Sequence, residues 1–466
     1  PTPDPTIPGT PTAAGSTTPT AVPTTPVGGY DPDNSEVVIG TERFIYFVTV
    51  DKEAFTPEDV ITYMETVPYY LGPGQRAIDM EPANLCDDTG NFDEWNDLVV
   101  ATDAIGGSPN LFYYKHEPST SINGIGSDKS IKVGYDLQDR ISSLTTGNIG
   151  EFGYVPSADY DEVVVAYHRA AGAASKTFIE VFYQNGQCGD LISGTGNLPL
   201  FDWPSQNRIK DMIIEDFDGD GLGELVILWD YVNSDNQNQV WYFWNLDDSS
   251  GDWGQRMEFR IDWGEDVQCA KLVAGVAQAG IPVPIQKDLV IVAENGDFRV
   301  FQNNRLNDPN WTPFSENPDD YHSPTLSGLR FADISSASIY NQAYEEDVTY
   351  MPGLMIVGRS NSDEFHQIAH YELIDYNAIY PKPNCSGAIF PYTPTVPPPA
   401  TPSYPSVEPV DLAYAPVQFG AFTKHFFMLP TTFDSTDQYY TVLRSPCDYG
   451  DPSAPEVSAQ LELPGM

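Results

Sequence analysis

The residues whose types and spacing suit chemistry lie in the stretch Asp211 to Leu228, DMIIEDFDGDGLGELVIL. Asp216, Asp218, Asp220 and Glu224 stand at relative positions 1, 3, 5 and 9, with Gly219 and Gly221 between them. A hard cation needs several oxygens converging on one point, so the backbone has to curl tightly. Glycine permits that turn while alternate acids face inward. Leu222, at position 7, offers its carbonyl. The alternative is a polar hairpin with no ion. Four carboxylates so closely packed repel one another unless a cation sits between them, and this favours calcium.

The loop is flanked by Met212-Ile213-Ile214 and Leu225-Val226-Ile227-Leu228, short aliphatic runs that read as strands. An EF-hand requires a helix on each side and a bidentate Glu at position 12, where this chain has Ile227. Strand, DxDGDGxxE, strand instead resembles the calcium loop of the FG-GAP/VCBS repeat, a β-propeller blade also found in integrin α-chains. The resemblance implies a propeller with one calcium ion held by Asp216, Asp218, Asp220, Leu222 and Glu224. A single such site is expected to act as a structural staple.

The elements that must position this loop recur along the chain. Apolar triplets begin at Val37, Leu98, Val163, Leu225, Leu289, Leu354 and Phe426, with intervals of 61, 65, 62, 64, 65 and 72 residues. Regular spacing of this kind marks a repeat architecture. The preceding residues are Glu36, Asp97, Glu162, Glu224, Asp288, Gly353 and His425, acidic in five of seven. A second, more aromatic strand follows each triplet, at Phe44–Val50, 111–114, 178–183, 240–244, 298–301, 368–373 and 439–443. A preceding strand is read at 131–136, 271–274 and 329–333, and a fourth at 257–263. Three or four strands per unit make a propeller blade. The expectation is an all-β, seven-bladed β-propeller over residues 30–466, with six blades as the alternative. The first unit shows no inner strand before Glu36, so closure by a late strand, Val457 to Leu463, is expected.

Residues 1–29 carry eight prolines among many threonines, with Asp4 the only charge, and read as an extended Pro/Thr-rich tail or linker able to carry O-glycans. A second Pro-rich stretch at 388–410 reads as a surface insertion. Thr56-Pro57 leading into Val60, Ile61, Met64 and Val67 reads as a short capped helix.

Composition excludes several partners. With 22 Lys+Arg and 67 Asp+Glu the net charge is 22 − 67 = −45, so there is no basic footprint for nucleic acid and an anionic membrane repels the chain. No apolar run reaches the roughly 18 residues that a membrane-spanning helix needs. The sequence opens at Pro1 with no leader in view, and a mature secreted form is expected. The five cysteines form no CxxC pair.

Catalytic candidates are few. His366 and His370 are four apart in a strand-like pattern, which separates them by about 13 Å. Acid pairs such as Asp87-Asp88, Asp247-Asp248, Asp319-Asp320 and Glu345-Glu346 have glycosidase chemistry available, but solvated faces explain them among 67 acids. Trp229, Tyr231, Trp241, Tyr242, Phe243 and Trp244 cluster beside the loop, either as packing between blades or as a stacking surface for sugars. Asn310-Trp311-Thr312 and Asn384-Cys385-Ser386 are glycosylation sequons.

The expected function is that of a secreted or cell-surface structural protein and not an enzyme. Its tail tethers it, or packs on a copy of itself or on another surface protein, in a filament or sheath. A propeller adhesin or lectin binding glycan or protein is the alternative, and a hydrolase or lyase comes last.

Overall fold

The computed structural model describes the strands given below, with the short connections at 71, 75–76, 84–85, 103–104, 108–110, 132–134, 148–150, 160–161, 190, 216–218, 221–223, 294 and 303. Among these residues every element is a strand or a bridge, and the strands form seven antiparallel sheets. The first holds β1 (Thr20–Thr24), β2 (Ser35–Gly40), β3 (Phe44–Val50) and β4 (Glu65–Tyr70). The second holds β5 (Ala77–Ala83), β6 (Asp97–Thr102), β7 (Leu111–His116) and β8 (Ile125–Ile131). The third holds β9 (Asp139–Gly147), β10 (Glu162–Arg169), β11 (Lys176–Gln184) and β12 (Leu191–Ser193). The fourth holds β13 (Arg208–Glu215), β14 (Glu224–Val232), β15 (Asn238–Trp244) and β16 (Gln255–Ile261). The fifth holds β17 (Cys269–Val276), β18 (Lys287–Ala293), β19 (Phe298–Phe301) and β20 (Asp319–Tyr321). The sixth holds β21 (Leu329–Tyr340), β22 (Tyr350–Ser360), β23 (His366–Asp375) and β24 (Ala378–Pro381). In the last, β25 (Glu408–Pro409) and β26 (Ala413–Phe419) both pair with β27 (Phe422–Phe433), followed by β28 (Asp437–Arg444) and β29 (Val457–Glu462).

In the first six sheets the strands follow chain order, a meander, and their first strands touch in succession, while in the last sheet β26 makes the contacts to its neighbours' first strands. β1 meets β5, β5 meets β9, β9 meets β13, β13 meets β17 and β17 meets β21; β26 touches both β21 and β1. Radial four-stranded meanders joined through their first strands are the β-propeller arrangement.

Six of the apolar triplets form the middle of the second strand of their sheets, and Phe426-Phe427-Met428 lies in β27 of the last. β6 is buried along its whole length and β10 everywhere but its last residue. A sheet covered on both faces by neighbours favours such continuous apolar runs over alternation. Alternate residues serve opposite neighbours: Val163 and Val165 pack toward the second sheet with Val99 and Tyr113, whereas Val164 and Ala166 pack toward the fourth with Leu225 and Ile227. Val226 and Leu228, on the other face of β14, meet Leu289 and Ile291 of the fifth sheet.

Four expectations are corrected. Thr20–Thr24, assigned to the tail, is the first strand of the first sheet, pairing Thr20 with Gly40 and Thr24 with Glu36. Pro23 is tolerated there because β1 is an edge strand of its sheet. Val457–Glu462 consequently closes nothing in the first sheet and is the outer strand of the last. Residues 131–136 are not the inner strand of the third unit: Ile131 ends the outer strand of the second sheet, and Asp139–Gly147 takes the inner place. Val67, placed on a helix by its periodicity, lies in β4, and the remainder of that segment is outside the described residues. Within the 388–410 insertion, Glu408–Pro409 is a short strand.

The position of β1 gives a truncation test. A deletion through Thr24 removes five residue pairs with β2, at roughly 0.5–1 kcal/mol of net hydrogen bonding each. It is expected to lower stability by about 3 kcal/mol or more, whereas a deletion ending at Pro19 leaves the urea midpoint unchanged. Equal midpoints for the two truncations would show that β1 contributes nothing.

Candidate metal loop and the acids around it

The loop between β13 and β14 is closed by its own acids. Asp216 Oδ2 accepts the Gly221 N–H at 3.0 Å, and Gly221 takes φ +91°, the left-handed region open to glycine. Glu224, 4% exposed at the start of β14, accepts the Phe217 N–H through Oε2 at 2.7 Å. Phe217 is fully buried, edge-on to Tyr242 at 5.9 Å, and its carbonyl accepts from Asn303 Nδ2. A hydrophobic plug inside the acidic turn thus holds the turn against the fifth sheet. Gly223 packs on the third sheet, donating to the Asn148 carbonyl at 2.5 Å; a Cβ there would lie 2.4 Å from Ile214 Cγ2.

Three of the four acids share one environment. The Tyr242 hydroxyl is pushed far above its ordinary value, first by burial, then by the negative charges of Glu224 and Asp218, a hydrogen bond with Glu224, and the charge of Asp216. Asp216, Asp218 and Glu224 therefore all lie near enough to Tyr242 for their charge to bear on its hydroxyl. Leu222 lies in the same turn; Asp220 is outside the described residues. Among the described residues no three His, Cys, Asp or Glu side chains are grouped closely enough to hold a metal ion. The donor set is all oxygen, the chemistry of a hard cation such as calcium, and the fit rests on the residue types and the tight turn that Asp216 and Glu224 close, its three described acids not being drawn together.

The acid that opens each second strand has a further, recurrent role. Asp97, Glu162, Glu224 and Asp288 are all buried. Glu162 accepts the Ile149 N–H at 3.0 Å and Asp288 the Asn303 N–H at 2.7 Å, as Glu224 does with Phe217. Burial raises Glu162 well above the ordinary glutamate value, opposed by its hydrogen bond from Ile149. Glu162, Glu224 and Asp288 fasten a loop to a strand start, and only the fourth unit of the sequence adds the Asp-rich turn.

The other candidates separate from this site. Trp229, Trp241, Tyr242 and Phe243 are buried between sheets, so these four offer no stacking face for a sugar. His366 and His370 both lie in β23, as the strand pattern required. His168 is buried with Nδ1 3.4 Å from Thr177 Oγ1, and burial pushes its pKa down. Of the acid pairs, Asp319-Asp320 belongs to β20; Asp87-Asp88, Asp247-Asp248, Glu345-Glu346 and both sequons lie outside the described residues.

Sequence reading missed a second group of acids on the inner strands. Asp79 of β5 accepts the N–H of Met80 at 3.1 Å and of Leu144, on the next sheet, at 2.8 Å. Asp211 of β13 repeats this with Met212 at 3.0 Å and Leu272 at 2.7 Å. The shared Asp-Met dipeptide is the signal that identifies them.

No protein-family model matches the chain, and no curated protein matches it. Among solved structures, the Dos1 propeller aligns at 8% identity and TM-score 0.41, covering 88% of this chain and 74% of that one. BBS1N, solved in complex with ARL6DN, aligns at 9% identity and TM-score 0.41, covering 90% and 92%. The Aleuria aurantia lectin, a six-bladed β-propeller that recognises fucose, aligns at 8% identity and TM-score 0.39, covering 78% and 94%. At these values the likenesses carry nothing further. The chain is a β-propeller by its strand order and the contacts between its inner strands.

Proposed function

We propose that the chain is a seven-bladed, calcium-stabilised propeller of the FG-GAP/VCBS kind, secreted or displayed at a cell surface, which works by holding partners and not by catalysis. The observation that carries the calcium reading is the turn from Asp216 to Glu224, which Asp216 closes on the Gly221 N–H and Glu224 on the Phe217 N–H, with Asp218 between them. Asp216, Asp218, Asp220, the Leu222 carbonyl and Glu224 would hold the ion, which would neutralise charges that otherwise repel across the β13–β14 turn. The seven sheets and the contacts of β26 with β1 support a ring of seven blades over six. β1 pairs with β2 in the first sheet, and the Pro/Thr-rich residues ahead of Thr20 would tether the propeller or engage a neighbouring copy. The lectin reading loses support from the burial of Trp229, Trp241, Tyr242 and Phe243.

The test is a thermal melt with and without calcium. For a dissociation constant on the order of 10⁻⁴ to 10⁻³ M, calcium at about 10 mM is expected to stabilise the parent by about 1.4–2.7 kcal/mol. Asp218→Ala with Asp220→Ala, which spares the loop-closing Asp216, is expected to erase that difference. A parent protein that melts identically in calcium and in chelator would end the calcium reading. Size-exclusion chromatography of the chain lacking residues 1–19 tests the tail: assembly at the full-length level would end the assembly reading.

A further inference from the structure

The inner strands carry bulges at matched places. Register breaks fall between Ala77 and Asp79, Ile209 and Asp211, Cys269 and Lys271, and Phe331 and Asp333, and in β9 opposite Ala166 and Tyr167. Just past each break, one residue stands opposite the residue that follows the apolar triplet. These pairs are Asp79 with Ala101, Ser143 with Ala166, Asp211 with Leu228, Lys271 with Val292 and Asp333 with Val357. The matched register puts five polar residues from successive inner strands at one level around the propeller axis. Glu81 lies two residues along β5, on the same face as Asp79.

We propose that this level of the axis is a proton-responsive lock, in which Lys271 is the counter-charge to Asp79, Glu81 and Asp211 and uptake of protons by these acids tightens the ring. Asp79 and Asp211 bridge from one inner strand to the next through their bonds from Leu144 and Leu272 N–H, so their charge state acts where the blades meet. Each of the four groups keeps some contact with solvent but is hemmed in by protein. Burial pushes Asp79 up to about 6 and Asp211 up to about 7, with Lys271 and the backbone donors opposing. Burial also raises Glu81 well above the ordinary value, with Asp79 and Asp211 adding to the rise and Lys271 opposing it.

The other elements at this level supply little charge. β9 brings Ser143 and Thr145, β1 and β26 contain no Asp, Glu, Lys, Arg or His, and β21 brings Asp333 with Arg330 earlier on the strand. Lys210, the bulge residue beside Asp211, is committed elsewhere, to Glu294 Oε1 at 2.9 Å and the Cys269 carbonyl at 2.8 Å.

The sign follows from proton binding. The folded protein holds protons on these acids that the unfolded chain has already released above about pH 4, so stability falls as pH rises from about 4 through the folded values of Asp79 and Asp211 near 6 and 7. Melts of the full chain between pH 5 and pH 8 test this. Glu81→Gln removes one repelling charge and is expected to raise Tm at pH 8 by on the order of 2 °C, to leave Tm at pH 5 unchanged, and so to flatten the profile. Lys271→Met is expected to lower Tm at pH 8 by more than at pH 5, steepening it. Asp230→Asn, which removes the same unit charge from an exposed position on β14, is expected to leave the slope as in the parent. A parent-like slope for Glu81→Gln overturns the proposal, whatever Lys271→Met does.

Discussion

Trp241→Ala is expected to cost about 3–5 kcal/mol of stability, the range for emptying a large aromatic site in a packed core. Trp241 is 2% exposed in the middle of β15, paired with Ile227 on one side and Glu258 on the other. Its ring meets Trp229 edge-on at 4.8 Å and Phe243 at 6.2 Å, and the group packs against Ile179 and Val181 of the third sheet. Two aromatic contacts of this geometry add about 0.5–1.5 kcal/mol each beyond area burial, so Trp241→Phe is expected to recover roughly half the loss. Urea denaturation followed by intrinsic fluorescence measures it. A loss below about 1 kcal/mol would mean that the third and fourth sheets do not pack through this face, and would return these indoles to the pool of ligand-stacking groups.

The fold was readable wherever burial is symmetric. A strand between two neighbours needs apolar residues on both faces, so Val163-Val164-Val165 and Leu225-Val226-Ile227 stand out as uninterrupted runs, and every such triplet lies in a strand paired on both edges. The aromatic runs after them became third strands for the same reason. The inner strands were harder to read because they face an axis lined with polar groups. IDMEPA of β5 and KDMIIE of β13 share an Asp-Met pair, but SSLTTG of β9 has little in common with them beyond a bulge and a polar residue. β1, with sequence TAVPT, is hidden by its proline and by the low-complexity segment around it; what fixes it is its pairing with Ser35–Gly40 and its contacts with β5 and β26.

The site divides along similar lines. Asp216, Asp218 and Glu224 were legible because a tight turn forces donors and glycines into fixed offsets within a few residues. Asp79, Asp211 and Lys271 converge from different sheets, and the hairpins between their strands and the following triplets vary in length, so no constant spacing marks them. Among 67 acids, Asp79 and Asp211 look like solvated charges until the bonds from Leu144 and Leu272 show otherwise. Glu224 shows the converse. Its place in the Asp-rich motif suggested a ligand, while Glu162 and Asp288 show that the same position also serves as a backbone fastener in sheets without the motif.

The strongest electrostatic effect is expected at Arg169, which ends β10 opposite Asp139 at the start of β9. Nε and Nη2 donate to the two carboxylate oxygens at 2.8 Å each, a fork that only a planar guanidinium supplies. The Asp139 side chain is fully buried while Arg169 is 24% exposed, and the guanidinium also lies 4.7 Å from the centre of the Phe178 ring. Removing one partner of a buried pair costs about 3–5 kcal/mol, because the other is left charged in a poor solvent. The partial exposure of Arg169 reduces this to about 2–4 kcal/mol for Arg169→Met. Lys132, whose ammonium is pushed down by burial and held up by Asp139, is a remaining cation that interacts with Asp139 and is expected to compensate only in part. Arg169→Lys keeps the charge but loses the fork and is expected to fall between. The pH dependence distinguishes charge from packing: the orphaned Asp139 carboxyl takes a proton as pH falls, so the deficit of Arg169→Met shrinks on going from pH 8 to pH 5. A deficit that is constant across that range would assign the loss to the stem and to Phe178, and not to the ion pair.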